Sequence, residues 1–237
     1  PDHQGRGLGT ALVRLSEERA REHLPLAPEG AQVVAQNWIN ARNPSACALL
    51  EREGYAAARF FWRMEVALDA TAPPSAAPDG IEVRTAEGDA GERAAFLASD
   101  EAFADHWGHV PTSFDDWIAR RREYVIDHDL WFLAFDGEES AAAALCSVSE
   151  GVGSIDTLGV RRAWRGRGLG KALLHRAFAA FRERGLPRAV LGVDASNPTG
   201  ATRLYESVGM RATQEYAVYR KRLRPGKELA DLDSAKG

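Results

Sequence analysis

Seven residues carry the chain's clearest chemistry: Arg165-Gly166-Arg167-Gly168-Leu169-Gly170-Lys171, set directly before an apolar helical pattern. Alternating glycines let the backbone turn through positive φ and let a ligand approach closely. The first turn of a helix offers unpaired N–H groups and a partial positive charge, which together receive a phosphate. Arg165, Arg167 and Lys171 add cationic charge. Spacing separates this loop from two commoner phosphate binders. A Walker A loop needs Gly-x4-Gly-Lys-Ser/Thr, whereas Arg165 stands five before Gly170 and Ala172 follows Lys171. A dinucleotide loop needs Gly-x-Gly-x-x-Gly, and here the third glycine comes one residue early. The readings left are a diphosphate cradle of another kind or a plain turn that starts a helix.

The elements around the loop occur twice. Gln4-Gly5-Arg6-Gly7-Leu8-Gly9-Thr10 repeats its pattern. A helical stripe follows each copy, Leu8, Leu12 and Leu15 in the first, Leu169, Leu173, Ala177 and Phe181 in the second. Strand-like runs come next, 32–39 and 189–193. Each leads to an Asn, a short helix and a Gly, running Asn43-Pro44 to Gly54-Tyr55 and Asn197-Pro198 to Gly209-Met210. The glycines of the two copies lie 161 and 155 residues apart (Gly5 to Gly166, Gly54 to Gly209), which fits duplicated domains of ordinary size. The second copy also has upstream elements. Strands are expected over 81–85, 131–135, 140–148 and 154–160, with helices over 90–105 and 114–125 and a turn at Asp136-Gly137. Residues 70–80 read as a Pro/Ala linker and 223–237 as a flexible tail. The expected organisation is therefore the C-terminal half of one domain over 1–69 and a complete domain over 81–222. Residues 1–68 would then carry a sheet edge without partner strands.

Bulk properties narrow the class. The 237 residues carry 30 basic and 34 acidic side chains, for a net charge of -4, so no global charge draws the chain to nucleic acid or to a membrane surface. No stripe of basic and aromatic residues suggests nucleic-acid binding. The longest apolar run, 141–146, is too short to span a bilayer. Cys47 and Cys146 lack metal-like spacing and read as buried, reduced thiols of a cytoplasmic protein. No metal cluster stands out, and no signal-like segment follows Pro1; what precedes Pro1 is left open.

Taken together, Leu158-Gly159-Val160, the loop 165–170, Val193, Asn197 and Leu204-Tyr205-x-x-x-Gly209 resemble the GNAT superfamily of N-acetyltransferases. The resemblance covers 81–222 as a whole domain and roughly 1–68 as half of one. The tandem layout is similar to two-domain actinobacterial members of the mycothiol synthase type, as is the 102–108 segment. It implies an α/β (α+β) fold whose mixed, twisted sheet, flanked by helices, splays between its fourth and fifth strands. It implies acetyl-CoA as cosubstrate, with pantetheine against Leu158 and Val160, pyrophosphate on Arg165 to Lys171, and Asn197 on the pantetheine arm. The Leu158 N–H would polarise the thioester carbonyl.

The same resemblance makes Tyr205 the expected general acid. A phenol with a pKa near ~10 is suited to protonate a departing thiolate. Asp156, alternating with Leu158 and Val160, is expected on their face of the strand as base or ammonium partner. Glu150 and His106 are further candidates for the base, Asp105 also reads as a helix cap, and Asp105, His106 and Trp107 would border the acceptor pocket. Direct attack by a small-molecule amine is expected, with a homodimer open. The alternatives are a protein lysine or N-terminal acetyltransferase and a non-catalytic acyl-CoA-binding module. In the first copy Leu50 stands where Tyr205 stands in the second, so catalysis is expected of the second copy alone.

Overall fold

A computed structural model describes residues 5–70, 77–104, 106–124, 126–197 and 200–228, with no side-chain description for Ala70. Gln4, Asp105, Pro198, most of the linker and the tail beyond residue 228 lie outside the described residues. Six α-helices are described: α1 (Leu8–Glu22), α2 (Pro44–Arg52), α3 (Gly88–Phe103), α4 (Phe114–Arg122), α5 (Leu169–Glu183) and α6 (Ala201–Ser207). The strands are β1 (Val33–Asn40), β2 (Ala56–Ala67), β3 (Ile81–Thr85), β4 (Trp131–Asp136), β5 (Glu139–Ser149), β6 (Val152–Val160), β7 (Arg188–Asp194) and β8 (Arg211–Arg224). Their order is β1-β8-β2-β7-β6-β5-β4-β3, mostly antiparallel, with β6 and β7 parallel. The expected α/β architecture is thus observed. Among the described residues no helix is long and apolar enough to cross a membrane.

The chain forms two compact units. One comprises Pro1–Trp62, Asp194–Ser196 and Gln214–Gly237; the other comprises Arg63–Val193 and Asn197–Thr213. In the first unit β1 pairs antiparallel with β8, Val33 to Asn40 against Tyr216 to Arg224. This narrows the expectation of an edge without partners: β8 pairs one side of β1 at eight positions, while β1 still ends the strand order. Leu50, Tyr55, Ala217 and Tyr219 form the core there. The expected apolar stripe of α1 is also corrected. Leu8, Leu12 and Leu15 are 54%, 65% and 62% exposed. The inward face of α1 is set by Val13 and Glu17, one turn apart. Val13 packs on that core, and buried Glu17 accepts from Lys221 Nζ at 2.7 and 2.8 Å. Cys47 is half-buried rather than buried; Cys146 is buried, and neither is in a disulfide.

In the second unit, helices cover both faces of the sheet. Ala95 and Ala98 of α3 and Trp117 and Ile118 of α4 pack on Trp131, Leu133, Ala143 and Leu145. On the other face α5 buries Leu169, Leu173, Ala177 and Phe181, as its stripe predicts. Two close approaches explain glycines inside β6. A Cβ at Gly159 would lie 2.7 Å from Ala102 Cβ on α3, and one at Gly153 would lie 2.5 Å from the Phe181 ring on α5. Two residues six apart on a regular strand share a face, yet these two face opposite helices. The cause is a β-bulge. Leu145 pairs with Thr157 while Cys146 pairs with Ile155, so Asp156 is an extra residue on β6.

Candidate active site

The site is assembled around that bulge. β6 pairs with β7 only through Gly153–Ala189, Ser154–Val190 and Ile155–Leu191. Both strands run on, β6 to Val160 and β7 to Asp194, with no further pairing between them among the described residues. The two strands therefore part at Asp156. Strand groups alternate in direction. The Arg161 N–H points to β5, bonding the Ala141 carbonyl at 3.0 Å, so the backbone groups of Val160 and Leu158 turn toward the gap. The Val160 carbonyl is already used there, accepting from Arg165 Nε at 3.2 Å.

The glycine loop lies at the end of this gap. Gly166 and Gly168 have φ of 77° and 86°, the left-handed region open to glycine at little cost. A Cβ at Gly166 would meet nothing within 4 Å, and one at Gly168 only Pro78 Cγ at 3.9 Å, so space lies above both. Gly168 caps the start of α5 with no side chain competing for its first N–H groups. Gly170 has another role. Its missing Cβ lets α5 approach α6, 3.0 Å from Leu204 Cδ2 and 3.7 Å from Val160 Cγ2. The Leu169 side chain is buried and packs in the core.

The three cations of the loop differ in placement. Arg165 folds back as a strap, donating to Val160 and, from Nη2, to the Ala102 carbonyl at 3.3 Å. Arg167 Nη1 pairs with Asp136 at 3.0 Å, and Trp164 Nε1 donates to the same carboxylate at 2.9 Å. These two donors hold the Asp136 carboxyl below its ordinary pKa. Lys171 is exposed on the first turn of α5. Charge at the loop thus comes from Lys171, the paired Arg167 and the helix terminus, while Arg165 shapes the backbone.

Tyr205 sits on α6 with 8% of its surface exposed. Burial alone pushes its phenol up to about 12, and no hydrogen bond to its hydroxyl occurs among the described residues. It therefore stays protonated at neutral pH with its proton uncommitted. Asn197, half-buried, follows β7 in the segment leading to α6.

Asp156 occupies different ground from the expected one. The bulge turns it to the α4 side, while Val160 faces α5, so the two do not share a face. Asp156 accepts from Ser154 Oγ at 2.6 Å. With Arg121, Tyr124, Trp131, Ser147 and Thr157 it lines a cleft of about 540 Å³. Glu150 lies outside that cleft, on the turn between β5 and β6, with φ of 51°. His106 packs its ring 4.4 Å from Phe103, whose ring edge approaches Gly159, and neither His106 nor Trp107 lines the cleft. Sequence reasoning missed Arg121. Its signal was its spacing of four from Trp117, which puts the two on one helix face. Among the described residues no group of His, Cys, Asp and Glu is arranged to hold a metal ion.

The first unit repeats the frame without the phenol. Gly5 and Gly7 have φ of 76° and 80°, and a Cβ on Gly9 would lie 2.9 Å from Leu49 Cδ2. The Tyr55 N–H bonds the Leu50 carbonyl at 2.9 Å, as the Met210 N–H bonds the Tyr205 carbonyl at 3.0 Å. Leu50 takes the structural position of Tyr205.

Comparison with known proteins agrees with this geometry. Residues 95–210 match the Acetyltransferase (GNAT) family. A mycothiol acetyltransferase of Acidothermus cellulolyticus is 35% identical over 227 residues, covering 89% of this chain and 66% of the relative. One from Thermobispora bispora is 32% identical over 228 residues, covering 93% and 73%. The crystal structure of a GCN5-related N-acetyltransferase from Sphaerobacter thermophilus superposes with a TM-score of 0.84 at 39% identity, covering 97% of this chain and 72% of that one. The chain thus spans about two thirds to three quarters of the length of these relatives, with the glycine loop, the parted strands and Tyr205 inside the matched span, and it belongs to the GNAT family of acetyltransferases.

Proposed function

We propose that the chain moves an acetyl group from acetyl-CoA to a primary amine of a small molecule by direct attack. The observation that carries this reading is the parting of β6 and β7 at Asp156, directly before a glycine loop that starts α5. Gly166 and Gly168, with open space above them, leave room for a pyrophosphate on the N–H groups of 166–171. The Leu158 N–H faces the gap and stabilises charge developing on the thioester oxygen. The amine nitrogen forms a bond to the carbonyl carbon, the carbon–sulfur bond breaks, and Tyr205 gives its proton to the leaving thiolate. Asp156, on the cleft wall, takes the proton that the amine loses, directly or through water. Arg167, Lys171 and Asn197 bind the cosubstrate, and Arg165 supports the backbone that does so.

A small-molecule amine is also the class that the names of the mycothiol acetyltransferase relatives suggest. The repeated Gly9–Leu49 and Gly170–Leu204 approaches support two tandem copies, with 81–222 as the catalytic one and 1–69 as part of the other. Free Cys47 and Cys146 fit action in the cytoplasm. The test is thiol release from acetyl-CoA by the whole chain across a panel of small amines and peptides. Transfer to at least one small amine is expected. Transfer to peptides alone would select a protein acetyltransferase, and binding of acetyl-CoA without release would select a non-catalytic module.

A further inference from the structure

Three consecutive arginines end α4, and the fold uses them differently. Arg120 donates from Nε to the Asp116 carbonyl at 3.2 Å and from Nη2 to the Thr112 hydroxyl at 2.7 Å. Arg122 donates from Nη2 to Glu92 at 2.9 Å, and Glu92, 4% exposed, also contacts His128 Nε2 at 3.0 Å. Both side chains are committed within the fold. Arg121 has no such acceptor: among the described residues no carboxylate or carbonyl receives its guanidinium N–H groups. Its Cζ lies 3.8 Å from the centroid of the Trp117 ring, and the residue lines the cleft that holds Asp156.

This placement is costly unless it serves binding. A cation withdrawn from water without a hydrogen-bonding partner loses solvation. Burial pulls the Arg121 pKa down to about 10, the charge of Arg120 adds to that, and Asp156 alone is opposed to it. The guanidinium remains charged at neutral pH. Stacking on indole covers one face and leaves the planar fork of donors available, the geometry that suits a carboxylate or phosphate. Asp156 and Arg121 then give one cleft two charges of opposite sign, with the hydroxyls of Ser147 and Thr157 and the rings of Tyr124 and Trp131 around them.

We infer that the acceptor is a zwitterion: its amine lies at Asp156 and an oxyanion elsewhere on the same molecule, carboxylate or phosphate, is received by Arg121. This rests on the acetyl-transfer reading above for the identity of the cleft. Arg121 is then the residue that decides which amines are used, and it takes no part in the bond changes.

Matched acceptors test it on the whole chain. Glycine is compared with glycinamide, and phosphoethanolamine with ethanolamine, by kcat/KM for thiol release. At least one anionic member is expected to exceed its neutral partner by tenfold or more, the pair showing the excess naming the oxyanion. Arg121→Gln should bring that ratio close to one, chiefly through KM. Arg121→Lys should restore part of it, since the charge returns without the fork. Unfolding midpoints of both variants serve as the folding control. Calorimetric binding of N-acetylglycine against N-acetylglycinamide, and of N-acetylphosphoethanolamine against N-acetylethanolamine, gives a second readout without turnover. Preference for an anionic ligand, lost in Arg121→Gln, is expected there as well. Equal use and equal binding of anionic and neutral members in both pairs would overturn the inference. No thiol release with any amine would instead count against acetyl transfer, and the binding comparison would still decide the role of Arg121.

Discussion

At the residue scale, Tyr205 and Arg165 differ in how much of their placement the sequence reveals. Tyr205 was legible because its spacing to Gly209 matches the family pattern, but its burial was not, since that depends on how α6 docks. Burial gives it a distinct pH signature. Replacing Tyr205 by Phe is expected to lower kcat about 10- to 1000-fold, within the usual range for lost acid catalysis. In the unsubstituted chain, kcat measured at saturating substrates should show no falling limb at pH 10, where free tyrosine ionises, because the buried phenol holds its proton to about 12. A fall centred at pH 10 would count against this assignment. Arg165 shows the limit of reading charge from sequence. A cation beside a glycine loop suggests phosphate contact, yet its guanidinium ties the Val160 and Ala102 carbonyls together. Which way a long side chain folds is set by tertiary acceptors that no local pattern reveals.

At the scale of elements, apart from β8, the second copy's strands were readable from their sequence pattern, and α3 to α5 from their periodicity, to within a few residues at the ends. The bulge at Asp156 was not. An extra residue leaves the same letters in the same order while reversing every later side chain. It explains why Gly153 and Gly159 serve opposite helices. Gly159→Ala should cost about 1–3 kcal/mol, the range for overpacking, because Ala102 Cβ stands 2.7 Å from the added carbon. Urea unfolding would register this as a lower midpoint at unchanged slope. Gly168→Ala acts at the loop instead. Its φ of 86° puts any side chain under strain of about 1–2 kcal/mol, so KM for acetyl-CoA should rise several-fold.

The strap after β6 has a pH signature of its own. Glu101 on α3 accepts from Arg161 Nε at 2.5 Å and from the Arg162 N–H at 3.1 Å. The Arg161 bond holds the Glu101 pKa below its ordinary 4.5. Its contribution to stability is therefore complete above that value and fades as pH falls through the depressed one. Glu101→Gln should unfold more easily than the unsubstituted chain at pH 7, and the two should converge toward pH 3 in thermal melts.

At the scale of the whole molecule, the repeated loop pattern was visible in sequence, and the assignment of strands to compact units was not. A repeat suggests that each copy keeps its own elements. The compact units instead take the end of β2 into the second unit and most of β8 into the first. Pairing over such separations leaves no local trace, because hydrogen-bond partners in a sheet are chosen by register and packing. A fragment limited to 78–224 would lack the Arg63–Ala67 part of its own unit and carry strand residues belonging to the other. It should unfold broadly and bind a hydrophobic dye, whereas the whole chain should melt in one or two sharp steps. A sharp, dye-free melt of the fragment would contradict the division.

The placement of β8 also bears on heredity. Because most of β8 belongs to the unit that holds β1, neither unit is a portable cassette. Recombination at the linker would part each half from a strand it depends on. A cut between the two parts of the chain would take from β1 its antiparallel partner β8.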